Sequence, residues 1–126
     1  MSFESLDHLV TFVPATDLQV ARAFYGDVLG LDIVSVDDFA IGIRIGGTDL
    51  RITKVETLTP QPFTVLGWNV DDLANTMAVL AERGVEFLRF DGMEQDGAGV
   101  WAAPGGALVS WFRDPDGNTL SLTQLG

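Results

Sequence analysis

The 126-residue sequence contains no cysteine, which excludes disulfides, thiolate metal sites and a cysteine nucleophile. It has a single histidine. It contains 7 basic and 18 acidic residues, which gives a formal net charge of -11. This negative field repels phosphate groups. We therefore expect neither nucleic acid nor an anionic membrane surface as a partner.

The sequence also lacks long apolar runs and a basic region near its start. These features are needed for a membrane span and for a secretory signal, so we expect a cytoplasmic protein. What the sequence does contain is a large apolar fraction, 47% of its residues. This fraction and the chain length predict a single domain with a hydrophobic core over residues 1–126.

Two similar segments, residues 1–56 and 63–126, indicate that the domain consists of two repeats. Each repeat begins with a strand, continues with a helix that ends at a glycine, and then returns to strand-like runs. The glycines that end the helices are Gly30 and Gly84. The strand-like runs after the helices alternate apolar and other residues, at 39–45, 50–55, 107–112 and 119–123.

Signals for the starts of both helices are present. Thr16 and Gln19 have the spacing of a capping box, which predicts that the first helix begins near Asp17. Asp71 and Asp72 predict the start of the second helix, because acidic side chains favour the positive end of a helix dipole.

Three short motifs resemble those of a known family. They are Asp7-His8 in the first strand, Phe24-Tyr25 shortly before Leu29-Gly30, and the run Phe-Arg-Asp-Pro-Asp-Gly-Asn at 112–118. With these motifs the chain resembles the vicinal-oxygen-chelate superfamily of glyoxalases, bleomycin-resistance proteins and extradiol dioxygenases. The resemblance implies an α+β fold of two βαβββ modules, whose curved mixed sheets form a cup around a small ligand. It also implies a homodimer.

In metal-dependent members of this family, four side chains inside the cup hold an ion. The resemblance places His8, Arg51, Val65 and Ser121 at the matching positions. A divalent ion needs several donor atoms, whereas Arg51 has no acceptor and Val65 has no donor atom at all. We therefore predict that the protein has neither a metal ion nor a cofactor.

The function that the sequence favours is metal-free binding of a small molecule, similar to that of bleomycin-resistance proteins. The residues predicted to contact the ligand are His8, Phe12, Arg51, Thr53, Trp101 and Ser121. The charge of the ligand stays open, because the acidic surface favours a cation and Arg51 favours an anion.

Two other functions are compatible with the sequence. One is a glyoxalase-type lyase or isomerase, or a dioxygenase, that acts on a small oxygenated substrate with His8 as the catalytic acid or base. The other is a dimeric scaffold that binds no small ligand. No pair of catalytic side chains in the sequence decides between them.

Overall fold

A computed structural model describes residues 3–126. The chain divides after Leu58 into two compact units, which we call the first module and, for Thr59–Gly126, the second module. Each module contains one four-stranded sheet. No helix within residues 3–126 combines the length and the apolarity that crossing a membrane requires.

The two modules share one order of elements. The first contains β1 (Val10–Ala15), α1 (Leu18–Arg22), β2 (Asp32–Val36), β3 (Ala40–Ile45) and β4 (Thr48–Lys54). The second contains β5 (Thr64–Asn69), α2 (Leu73–Glu82), β6 (Trp101–Ala102), β7 (Leu108–Arg113) and β8 (Thr119–Gln124). The predicted βαβββ order is therefore confirmed in both modules.

The sheets also have equivalent strand orders, β1-β4-β3-β2 and β5-β8-β7-β6. In each sheet the first strand runs parallel to the last, and the remaining pairs are antiparallel. The sheets are thus mixed, as predicted. The parallel pair places the first strand of each module beside the last one, which brings residues from both ends of a module into one surface.

The start of α1 lies at Asp17, whose Oδ1 accepts hydrogen bonds from the amides of Gln19 (2.9 Å) and Val20 (3.2 Å). The predicted cap at Thr16 is therefore wrong. The carboxylate one residue later reaches the free amides of the first turn, and Asp is a strong N-cap residue. The start of α2 at Asp72 is as predicted, with Oδ1 accepting from the amide of Asn75 at 3.0 Å.

After Arg22 the first helix continues as a wider π-helical segment, Ala23–Val28. There the amide of Leu29 donates to the carbonyl of Phe24, five residues back, at 2.9 Å. The segment places the Tyr25 ring in the core, where it is 1% exposed.

The strands bury one face against the helix of their own module and leave the other uncovered. The buried apolar side chains in the two closing strands are Leu50, Ile52, Leu120 and Leu122, all at most 3% exposed. The predicted period-two alternation is confirmed, because these residues alternate with less buried neighbours. We call the face of each sheet that lies opposite the helix its open face.

Candidate ligand-binding site

The open face of the second module is organised in rows that follow the register of its strands. Neighbouring residues in the first row are Thr64, Thr119 and Arg113, and those in the second are Gly67, Ser121 and Trp111. The third row has Asn69, Thr123, Val109 and Trp101. Strands are about 4.8 Å apart, so the members of a row are in contact range of one another.

Trp111 is the centre of an aromatic cluster on this face. Its ring centroid lies 5.4 Å from that of Phe90, with the planes at 89°, and 6.2 Å from that of Trp101. Its indole Nε1 donates a hydrogen bond to Oγ1 of Thr64 at 3.2 Å, which brings the indole across β8. The indole is therefore fixed at three points, and such rigid aromatic surfaces bind ligands at little cost in side-chain entropy.

A cavity of about 670 Å³ lies over this cluster within the second module. Its walls include Trp111, Phe90 and Met93, together with Phe63 from the segment that precedes β5. The volume is in the range of pockets that hold small organic molecules, and the predominantly apolar walls are typical of such pockets. Arg113 is the one charged residue among those that line it.

One wall of the cavity depends on the turn between β7 and β8. Asp114 shapes this turn, because its Oδ1 accepts from the amides of Asp116 (3.0 Å) and Asn118 (2.9 Å). Gly117 in the turn has φ +88°, and a Cβ built there would lie 3.0 Å from Cγ of Pro60. This turn therefore lies against the segment that supplies Phe63.

A second support is the side-chain amide of Gln95. Its Oε1 accepts from the amide of Phe90 at 2.8 Å, and its Nε2 donates to the carbonyls of Leu88 (2.9 Å) and Gly99 (2.8 Å). These three bonds hold the Phe90 segment against the loop that leads to Trp101. Sequence reasoning missed this role, since nothing in the composition of the loop distinguishes Gln95 from a solvated residue.

The loop that leads to Trp101 is also ordered by Asp96. The amide of Val100 donates to Oδ1 of Asp96 at 2.9 Å, as does that of Ala98, and these bonds hold the pKa of the carboxyl below its usual value. A lowered folded-state pKa stabilises the loop above the unfolded pKa, and the effect is lost as pH falls through the folded pKa. The loop therefore has its full stability at neutral pH.

Four of the predicted ligand contacts belong to the first module. Phe12 and Arg51 are direct cross-strand neighbours, and the guanidinium carbon lies 6.0 Å from the centroid of the Phe12 ring. Within residues 3–126 Arg51 forms no ion pair with a carboxylate. Thr53 follows on the same face, and its Oγ1 is buried without a hydrogen-bond partner among the described residues.

His8, the fourth of these residues, precedes β1 and has a side chain that is 80% exposed. Its Nε2 lies 3.9 Å from Oδ2 of Asp49, whose Oδ1 accepts a hydrogen bond from Nε of Arg44 at 3.1 Å. An exposed imidazole at this distance from a carboxylate is a weak interaction. It gives His8 no oriented partner of the kind that a catalytic base requires.

The predicted metal positions change in one respect. In the first module Val10 of β1 pairs with Asp49 of β4, and in the second module Thr64 of β5 pairs with Thr119 of β8 in the equivalent place. A bulge follows Thr64. The residue that matches His8, two positions before Val10, is therefore Pro62 instead of Val65. Neither Pro62 nor Val65 offers a donor side chain.

The four positions therefore do not fit a divalent ion, because Arg51 has a fixed positive charge and Ser121 is a neutral hydroxyl. Within residues 3–126, no three side chains of His, Asp or Glu lie close enough together to hold an ion.

Two of the predicted contacts, Ser121 and Trp101, lie on either side of Trp111 on the second module's open face. The prediction omitted Trp111 itself. Its position in β7 places its side chain on the same face as that of Arg113, and its cross-strand partner is Ser121. Phe90 was also omitted, and no sequence signal identified it.

The sequence matches, over residues 5–122, the family model described as the Glyoxalase/Bleomycin resistance protein/Dioxygenase superfamily. A search of curated protein sequences found no match. The predicted resemblance to this group of proteins is therefore confirmed at the level of the family.

Solved structures with the same fold include three that illustrate the range of their named activities. A lactoylglutathione lyase from Agrobacterium tumefaciens is 20% identical, with 95% of this chain and 94% of that chain covered and a TM-score of 0.71. An antibiotic-binding protein from a Streptomyces species is 25% identical, with coverages of 98% and 100% and a TM-score of 0.72. A glyoxalase/bleomycin resistance protein from a Streptomyces species is 26% identical, with coverages of 94% and 100% and a TM-score of 0.64. These similarities confirm the predicted α+β glyoxalase/bleomycin-resistance fold.

Proposed function

Because the chain belongs to the Glyoxalase/Bleomycin resistance protein/Dioxygenase superfamily, we propose that it binds a small aromatic molecule on the open face of its second module. The observation that carries this proposal is the cavity of about 670 Å³ whose walls include Trp111 and Phe90. Flat, rigid side chains around a partly enclosed apolar space favour a flat apolar ligand.

One of the comparisons and the chemistry of the predicted metal positions support binding over catalysis. One similar structure is named an antibiotic-binding protein. The two chains are 25% identical, and the match covers 98% of this chain and 100% of that one. At the positions where metal-dependent relatives hold their ion, Arg51 and Ser121 supply no metal-binding anion. His8 has no oriented partner for acid–base chemistry, as described above. We therefore propose a binding protein that acts without a catalytic metal.

The ligand contacts proposed for this face are Trp111, Phe90 and Phe63, together with Trp101 and Ser121 from the sequence prediction. For the first module, contact of the ligand with His8, Phe12, Arg51 and Thr53 stays a prediction. A ligand that reached Thr53 could satisfy the unpaired Oγ1.

We propose further that the protein is a cytoplasmic homodimer. Family membership supports the dimer, and so do large apolar side chains that the chain leaves in solvent, such as Phe12 at 57% and Phe39 at 77% exposed. Sedimentation equilibrium is expected to give twice the chain mass at micromolar concentration, and a monomer at that concentration would contradict the dimer.

Aromatic probes are expected to stabilise the protein, and thermal unfolding measures this directly. The first probes are 2-naphthamide and 2-naphthoate, and cyclohexanecarboxamide is a non-aromatic control. A probe at about a hundredfold above its dissociation constant adds about 2.7 kcal/mol to the free energy of unfolding. For a chain of this length the midpoint should then rise by about 10 °C. If neither aromatic probe, nor a wider aromatic panel at millimolar concentration, raises the midpoint above the control, the proposal is wrong.

A further inference from the structure

The charge of the ligand, which the sequence leaves open, can be inferred from the second module. We propose that the ligand is an aromatic anion, such as an aromatic carboxylate or phenolate, and that the guanidinium of Arg113 binds its negatively charged group. This inference rests on the proposed function, because it uses the same cavity. It assigns to Arg113 a role that determines which aromatic molecules the site accepts.

The position of Arg113 relative to the aromatic cluster is the first argument. Arg113 is the last residue of β7 and lies two positions after Trp111, so both side chains project from the same face about 7 Å apart. Both line the cavity. A flat ring that contacts the indole would therefore place a carboxylate on its edge within reach of the guanidinium, whose planar donors match an oxyanion.

The second argument is that Arg113 has no carboxylate partner within residues 3–126. Arg44 differs in this respect, because its Nε donates to Oδ1 of Asp49. The guanidinium of Arg113 is exposed at the rim of the cavity, so its donors are available to a ligand.

The third argument is the charge of the cavity, which is opposite to that of the chain. None of the residues that line it is acidic, although the chain carries a net charge of -11. The nearest acids in sequence are Asp114 and Asp116 in the following turn. Asp114 is buried, and its two oxygens accept hydrogen bonds from the amides of Asp116 and Asn118 and from Nδ2 of Asn118. More distant carboxylates act through solvent and are screened beyond about 8–10 Å.

Hydroxyl donors beside Arg113 complete the arrangement. Thr119 is its cross-strand partner, and Thr64 follows in the same row of the sheet. Oγ1 of Thr64 accepts the indole hydrogen of Trp111, which leaves the hydroxyl hydrogen of Thr64 free to donate. The row thus presents a guanidinium and two hydroxyl donors along one edge of the aromatic surface, and an oxyanion accepts from such donors.

Calorimetric titration with three probes of equal shape tests this inference. The probes are 2-naphthoate, 2-naphthamide and 2-naphthylmethylammonium, which carry a negative, a neutral and a positive group on the same rings. We expect 2-naphthoate to bind about fivefold more tightly than 2-naphthamide, because an exposed charged contact contributes an affinity difference of this size. The cation, 2-naphthylmethylammonium, should bind most weakly. The preference should decrease in 0.5 M salt, where screening is stronger.

Variants separate a local contact of Arg113 from the overall charge of the protein. Arg113→Gln should reduce the affinity for 2-naphthoate about fivefold and leave that for 2-naphthamide within about twofold. Arg113→Lys should retain part of the preference, because the charge remains while the planar donors are lost. Arg83→Gln is the matched control, since it removes the same charge from the same module at a residue that does not line the cavity. It should leave all three affinities unchanged.

The outcomes distinguish this inference from the proposed function. If all three probes bind equally well and Arg113→Gln changes nothing, aromatic binding stands and the inference about charge is wrong. A cation that binds most tightly would also overturn it. If none of the three probes binds, both the inference and the proposed aromatic site fail. If Arg83→Gln weakens 2-naphthoate as much as Arg113→Gln does, the preference reflects net charge and the role of Arg113 is excluded.

Discussion

Trp111→Ala is expected to lower the affinity for 2-naphthamide about 30-fold. The indole is the central surface of the cavity, and removal of a stacking aromatic side chain or an interface tryptophan costs about 2 kcal/mol, which corresponds to that factor. The substitution also removes the ring contacts with Phe90 and Trp101 and the hydrogen bond to Thr64, so the remaining wall loses its fixed geometry. Calorimetric titration of the variant measures the change.

Trp68→Phe is the matched control for this prediction. Trp68 is the cross-strand partner of Leu122, on the face that packs against α2, and does not line the cavity. Its substitution should leave the affinity within about twofold of the original value, because the binding face is intact. If Trp111→Ala leaves the affinity for 2-naphthamide unchanged, the ligand does not bind at this cavity. The same conclusion follows if the affinity falls equally in both variants.

Gly117→Ala is expected to reduce the free energy of unfolding by about 2–3 kcal/mol, and to weaken 2-naphthamide as well. About 1–2 kcal/mol comes from φ +88°, a left-handed conformation that costs an L-residue this much. A further contribution of about 1 kcal/mol comes from overpacking, because the new Cβ would lie 3.0 Å from Cγ of Pro60. The turn and the segment before β5 must then separate, which moves Phe63 in the cavity wall.

The control for this prediction is Gly105→Ala. Gly105 has φ +93°, and a Cβ there would meet no atom within 4 Å, so only the conformational cost of about 1–2 kcal/mol applies. Urea denaturation gives the stability of both variants, and calorimetry gives their affinity for the probe. If the two variants lose the same stability and bind the probe equally well, the contact between Gly117 and Pro60 does not hold the cavity wall.

The parts of the fold that the sequence predicted are those with a regular period. Leu50, Ile52, Leu120 and Leu122 alternate with polar residues, and a strand with one buried face must alternate in this way. The order of elements followed from the repeat.

The starts of the helices and the register of the strands were less predictable. Thr16 and Asp17 are both good caps, and only the backbone geometry decides between them. The register of β5 against β8 moves the match of His8 from Val65 to Pro62. The bulge after Thr64 accounts for one of these three positions, and no residue in that segment announces it. The π-helical segment that buries Tyr25 likewise has no composition signal of its own.

The candidate site was only partly predictable, because its walls come from segments without periodicity. Ser121 was predicted from its match to a ligand position of the family, and Trp101 from its place beside a glycine-rich loop. Phe90 reaches Trp111 because Gln95 ties the loop to the Phe90 amide, and such a contact depends on three-dimensional hydrogen bonds. The charge of the ligand could not be inferred until Arg113 was placed beside Trp111 without a carboxylate partner.

The measurement that tests the central claim most directly is a titration of the uniformly ¹⁵N-labelled protein with 2-naphthamide, followed through its indole N–H signals. The sequence contains three tryptophans, so the spectrum should show three such signals, which single Trp→Phe variants assign. Trp111 and Trp101 lie on the open face of the second module and are expected to shift, whereas Trp68 on the helix-packed face should stay in place. A spectrum in which Trp68 shifts while Trp111 and Trp101 do not would contradict the proposed site.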